Sequence, residues 1–178
     1  MIRPALLLTA AFALAGSALA ELAPGDKAPA FTAKASLGGS EFTFSLEDAL
    51  KKGPVVLYFY PKAFTTGCTM EAHEFAEATP EFQALGATVI GISADPIDTL
   101  NKFSVEGCRS KFAVASDADQ SVMKAFDAVL EKKPELSDRT SYVIAPDGTV
   151  VYVHSDLNYE AHVANTLAAV REWRAANP

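Results

Sequence analysis

Two side chains in this sequence can act as sulfur nucleophiles, Cys68 and Cys108, and only the first stands where a thiol is readily activated. Cys68 closes the run Pro61-Lys62-Ala63-Phe64-Thr65-Thr66-Gly67-Cys68, between an apolar stretch and a segment of helical spacing. A strand ended by a proline, a loop of small residues and a helix starting beside the cysteine put the sulfur at the positive end of a helix dipole, which favours the thiolate. Thr65, three residues earlier, can turn its hydroxyl into the same place as a donor, and Gly67 lets the backbone come close. The Cys68 amide is a further candidate donor. Such a group attacks an electrophile through sulfur while fixed donors stabilise the departing atom.

The remaining chemistry-bearing residues narrow the options. Glu71 is a first-turn carboxylate of the same helix, where the dipole favours negative charge. His73, His154 and His162 are too scattered for a metal site, with no helical His pair and no cysteine at zinc spacing, and read as surface or internally bonded histidines. No metal, haem or flavin is implied, because sulfur itself can carry the redox chemistry. With two cysteines there is one possible intramolecular pairing, and a purely structural disulfide closing that forty-residue loop would contribute roughly 4 kcal/mol on the chain-entropy account. The Cys-x-x-Cys pair that thiol-disulfide exchange ordinarily uses is missing. The formal charge of −7 speaks against a nucleic-acid partner.

Residues 1–20 have the layout of a secretory signal: Arg3, an apolar run from Ala5 to Leu14, then the small-x-small end Ala18-Leu19-Ala20. The run is shorter than the roughly 20 residues that span a bilayer, so cleavage is expected, with a mature chain of residues 21–178. That implies an exported protein, periplasmic in a Gram-negative cell and otherwise secreted, without stable membrane association. Its 158 residues suit one domain.

The elements that must position Cys68 are legible in hydrophobic spacing. Val55 to Tyr60 is a continuous β-branched and aromatic run, as in a strand buried on both faces, and Pro61 ends it. From Cys68 to Leu85, Met70, Phe75, Ala78, Phe82 and Leu85 recur at helical intervals among glutamates, with a kink expected at Pro80. Ala87 to Ser93 reads as a second buried strand, completing a parallel crossover. A helix over 97–106, a short strand around 112–115 and a helix from Asp119 to about Leu130 follow. Thr140–Ile144 and Thr149–His154 flank the turn Ala145-Pro146-Asp147-Gly148, a hairpin signal, and a last helix runs from Tyr159 to about Ala175. The sum is an α/β domain, a mixed central sheet of five or more strands flanked by helices, in an order resembling the thioredoxin-like fold.

The residues also resemble a family. Pro61, Thr65, Cys68 and Glu71 fall on the peroxiredoxin motif Pro-x-x-x-Thr-x-x-Cys-x-x-Glu, and Pro24 to Phe31 is similar to that family's N-terminal extension. Tyr58-Phe59-Tyr60-Pro61-Lys62 with Gly67-Cys68-Thr69 resembles the bacterioferritin-comigratory, or peroxiredoxin Q, branch. Two positions depart from that branch: Phe64-Thr65-Thr66 replaces its Asp-Thr-Pro, and His73 stands where many members carry a resolving cysteine. The resemblance implies that Cys68 attacks peroxides and becomes a sulfenic acid. Arg139 is implied as the active-site arginine, holding the thiolate and polarising the peroxide. Cys108 is implied as the resolving partner, with a thioredoxin-like dithiol as reductant and a monomer favoured over a dimer. The alternative is an exported thiol-disulfide exchange or redox-sensing protein with a structural Cys68–Cys108 disulfide.

Overall fold

The computed structural model describes residues 22–178, so the expected leader at 1–20 lies outside the described residues. Seven strands form one sheet: β1 (Thr32–Leu37), β2 (Ser40–Ser45), β3 (Val55–Phe59), β4 (Thr88–Ser93), β5 (Ala113–Ser116), β6 (Thr140–Ile144) and β7 (Val150–Ser155). Their spatial order is β2-β1-β5-β4-β3-β6-β7. β3 pairs parallel with β4 and antiparallel with β6, which makes it an interior strand, as its unbroken apolar run requires. Five helices accompany them: α1 (Leu46–Leu50), α2 (Thr66–Ala84), α3 (Ile97–Glu106), α4 (Ser121–Ala125) and α5 (His162–Ala176).

The alternation along β3 divides the core. Val56, Tyr58 and Tyr60 meet Phe75 and Phe82 of α2, Phe103 of α3 and Val163, Leu167 and Val170 of α5. Val55, Leu57 and Phe59 meet Leu46 and Leu50 of α1, Met123 of α4, and Phe126. Tyr58 stacks on Phe75 with ring centroids 4.3 Å apart, and its ring lies across Gly91 so closely that a Cβ there would sit 2.8 Å from it. Burying each such aromatic contributes about 1.5–3 kcal/mol, so this layer fixes α2, and with it Cys68, against the sheet.

Two expectations need correction, and two elements had none. The helix expected over 119–130 is only Ser121–Ala125, because Asp127 turns left-handed (φ 52°) and the Phe126 carbonyl accepts from the Tyr142 hydroxyl at 2.9 Å instead of continuing a helix. The apolar spacing of Val122, Met123 and Phe126 comes from one turn packing onto the sheet. The last helix begins later than expected, at His162, after a 3-10 turn at Tyr159–Ala161. The β1–β2 hairpin and α1 had no clear pattern in the sequence, since β2 is mostly solvent-facing and only Phe44 of that strand is buried.

Candidate active site

The local chain path makes the site. After β3 the Tyr60 amide still bonds to the Ile92 carbonyl at 3.0 Å, Pro61 stops the ladder, and the Ala63 amide donates to the Asp95 carboxylate at 2.7 Å. Phe64 then adopts a left-handed backbone (φ 65°) and Thr65 an extended one, which turns the chain into α2. Thr65 is the N-cap but supplies no side-chain cap bond, and its carbonyl accepts from the Thr69 amide at 2.9 Å. The amides of Thr66, Gly67 and Cys68 thus belong to the helix start that intrahelical bonds leave unserved, a place suited to an anion. Cys68 is the third residue of the helix and 2% exposed.

Strand pairing delivers the cation. Thr140 lies opposite Phe59 in the β3–β6 register, so Arg139 emerges beside the end of β3, against the start of α2. Its Nη2 donates to the Cys68 sulfur at 3.4 Å, its Nη1 to Glu71 Oε2, and its Nε to the Leu157 carbonyl at 2.9 Å. All three planar edges of the guanidinium are thereby held, and the group cannot rotate away without losing a buried bond. Glu71 stands one helical turn beyond Cys68, on the same face, which is why one guanidinium reaches both. A Cβ on Gly67 would lie 3.4 Å from Nη2, in contact with the guanidinium.

The electrostatics follow from burial. Glu71 is wholly buried, and desolvation pushes its carboxyl up to about 8 against the pull of Arg139. Arg139 is held above its ordinary range by the Glu71 and Cys68 charges, against its own desolvation, which is the largest influence and acts downward.

The sequence-derived residues do not all arrive where expected. Cys68, Glu71, Arg139 and the Pro61 loop converge. Thr65 is close by, but its hydroxyl donates to the Lys62 carbonyl at 2.9 Å instead of to the sulfur, which corrects its expected role as donor; the same oxygen keeps two lone pairs as an acceptor. Cys108 sits elsewhere, just past Gly107 at the end of α3, 0% exposed and with its amide on the Phe103 carbonyl at 3.0 Å. Both cysteines are free thiols, and desolvation pushes the Cys108 thiol well above its ordinary value. Of the histidines, His73 is half-buried on α2, whereas His154 and His162 meet edge to face with ring centroids 4.5 Å apart. Among the described residues no group of three or more His, Cys, Asp or Glu side chains could hold a metal ion. Sequence reasoning missed Leu157, whose carbonyl orients Arg139, and His162 with Ser141, whose side chains bond 2.8 Å apart beside Glu71. A backbone carbonyl and a helix-start histidine carry no motif.

Comparisons with known proteins identify a family. Residues 24–153 match the AhpC/TSA family. Peroxiredoxin Bcp of Xanthomonas campestris pv. campestris is 34% identical over 122 residues, covering 66% of this chain and 76% of its own. Chloroplastic peroxiredoxin Q of Triticum aestivum is 32% identical over 157 residues, covering 88% of this chain and 70% of its own. The crystal structure of peroxidoxin BcpB from Mycobacterium tuberculosis matches with a TM-score of 0.75 at 34% identity, over 84% of this chain and 96% of that one. With the thioredoxin-like sheet of these relatives, the chain belongs to the AhpC/TSA family as a thiol peroxidase of the peroxiredoxin Bcp and peroxiredoxin Q type.

Proposed function

We propose that Cys68 reduces hydrogen peroxide and organic hydroperoxides, that Cys108 resolves the oxidised sulfur, and that an external thioredoxin-like dithiol restores both. The observation that carries this reading is the Cys68 sulfur at the start of α2 with Arg139 Nη2 at 3.4 Å. The Cys68 thiolate attacks one peroxide oxygen. A sulfur–oxygen bond forms, the oxygen–oxygen bond breaks, and the other oxygen leaves as water or alcohol after taking a proton. Sulfur is oxidised by two electrons as the peroxide is reduced. Arg139 and the free amides of the helix start stand where negative charge grows on the departing oxygen. Thr65, its hydroxyl hydrogen committed to Lys62, is suited to accept the peroxide's own O–H.

Resolution requires the Cys108 thiol to attack the Cys68 sulfenic acid, forming the disulfide and releasing water. Both sulfurs are sealed, so their segments must open first. Each segment carries non-glycine residues in left-handed backbone, Phe64 before Cys68 and the consecutive Arg109 and Ser110 after Cys108. Such residues cost of order 1 kcal/mol or more each, and opening relieves that strain. Phe64, 46% exposed, also rests edge-on against Phe103 of the Cys108 helix at 5.2 Å, which couples the two segments.

The expected leader supports export and a mature chain of 21–178, and among the described residues no helix is long and apolar enough to cross a membrane. The test is the mass of reduced protein after one equivalent of peroxide. Loss of two hydrogens in the wild type, and one added oxygen in Cys108→Ser, supports the peroxidase with Cys108 resolving. A sulfenate on the wild type that only an added thiol removes supports a one-cysteine enzyme. A preformed disulfide inert to peroxide supports the rival exchange or sensing protein.

A further inference from the structure

Thr65 stands at the N-cap of α2, where a threonine oxygen ordinarily accepts from an amide in the first turn, yet it makes no such bond. Its hydroxyl turns back instead and donates to the Lys62 carbonyl at 2.9 Å. The usual cap is given up, and the reason lies on the far side of that carbonyl.

The Lys62 carbonyl is one end of a peptide plane whose other end is the Ala63 amide. In a trans peptide the C=O and N–H point in opposite directions and cannot turn independently. The Ala63 N–H donates to Asp95 Oδ2 at 2.7 Å, the short distance expected of an amide on a carboxylate. One planar group therefore carries Asp95 at one end and Thr65 at the other. A carboxylate on the N–H also polarises the amide, which makes its carbonyl a stronger acceptor for the Thr65 hydroxyl.

Asp95 is itself anchored to the sheet. Its Oδ2 accepts a second bond, at 2.8 Å, from the hydroxyl of Ser93, the last residue of β4 and 0% exposed. Its carbonyl accepts from the hydroxyl of Ser116, the last residue of β5, at 2.7 Å. These two strands pair in parallel with Ser93 opposite Ser116, so the carboxylate is held by the rigid part of the fold and in turn holds the loop. Asp95 is 32 positions from Ala63 in the chain, and what it grips is the loop that leads into Cys68.

We propose that Asp95 is a positioning residue of the peroxide-reducing centre: by fixing the Lys62–Ala63 peptide it commits the Thr65 hydroxyl hydrogen to the Lys62 carbonyl and leaves only lone pairs facing the peroxide. The peroxide is then received as a hydrogen-bond donor, in one orientation. Without Asp95 the plane is free to tilt and the Thr65 hydroxyl to return to capping the helix. The proposal rests on the peroxidase reading above, in which Thr65 accepts the O–H of the substrate.

The test is a double-mutant cycle between Asp95 and Thr65, with stopped-flow rates of sulfenate formation on the Cys108→Ser background. Asp95→Ala should slow this step about tenfold, the worth of one well-placed hydrogen bond. Asp95→Asn, which keeps an acceptor oxygen without the charge, should recover to within about threefold of the parent. In Thr65→Val both losses should disappear, because the hydroxyl that Asp95 orients is gone. Asp95→Asn keeps the cycle decisive if Asp95→Ala does not fold. No loss in the variants that fold, or losses that persist undiminished in Thr65→Val, overturn the proposal, and so does a Thr65→Val protein as fast as its parent. In each of those cases the parent still forms a sulfenate and the peroxidase reading stands. A parent that forms none overturns that reading and this proposal with it.

Discussion

Cys68 and Cys108 are the same side chain, almost equally buried, on the same side of one sheet, and their surroundings differ in one respect. Cys68 heads a helix and touches a guanidinium held also by Glu71 and the Leu157 carbonyl, whereas Cys108 lies at the far end of a helix, where burial alone acts on its thiol and raises it. Burial withholds a sulfur from solvent in both places. Charge and direction single out Cys68 as the proposed nucleophile. The second sulfur is buried in the closed fold, and the proposed cycle uses it only once its segment opens.

The largest effect expected from this contrast is on turnover. Cys68→Ser should abolish peroxide consumption, while Cys108→Ser should complete one turnover and stall until a small thiol is added, both read by following peroxide disappearance. Retained turnover in Cys68→Ser would falsify the assignment of the nucleophile. Full multiple turnover of Cys108→Ser with a dithiol donor alone would remove Cys108 from the cycle.

Next comes the guanidinium that separates the two environments. Arg139→Gln should slow sulfenate formation by about a hundred- to a thousandfold, the usual loss when one preorganised donor to a developing oxyanion is removed. Stopped-flow rates on the Cys108→Ser background isolate this step, and a change below tenfold would mean that the helix start alone activates the sulfur.

A smaller effect belongs to Thr65. Thr65→Val should lower the same rate roughly tenfold, with Thr65→Ser close to wild type, because what matters is an acceptor oxygen oriented by the Lys62 carbonyl. Equal rates for the valine and serine variants would leave the hydroxyl with only its loop bond.

The smallest effect is on stability, and it distinguishes the polar inclusion beside Cys68 from the apolar seat of Cys108. His162 is lowered from 6.5 to about 4, so the unfolded chain takes up its proton first and stability falls as pH drops through that window. Glu71 is raised from 4.5 to about 8, so its contribution is complete below 4.5 and is lost as pH rises through about 8. The two slopes oppose each other between about 4.5 and 6.5. Above that only Glu71 acts, and urea midpoints from pH 6.5 to 8.5 should decline in the wild type and flatten in Glu71→Gln. Parallel curves for the two proteins would show that the carboxyl is already ionised in the fold.

Much of this was readable beforehand, for reasons that are local. The all-apolar Val55–Tyr60 run, closed by Pro61, could only be an interior strand, and the helical spacing after Cys68 put a sulfur at a helix start. Those facts depend on residues adjacent in the chain, as does the hairpin around Asp147-Gly148. The β1–β2 hairpin was illegible because its outer strand buries one side chain, and the helix after Asp119 was overextended because a turn packed on the sheet mimics helical spacing.

What the sequence by itself determined is a thiol at a helix start, the strand and helix that hold it, and the family. The tertiary structure decided which polar groups share the sulfur's space. Arg139 is 71 positions from Cys68 and reaches it because β6 runs antiparallel to β3, in a register that ends at the same edge. His162 comes from another helix and Ser141 from β6 itself, and nothing in their own neighbourhoods marks them. Local spacing sets secondary structure and a helix dipole, but the partners of a buried charge are chosen by sheet order and register.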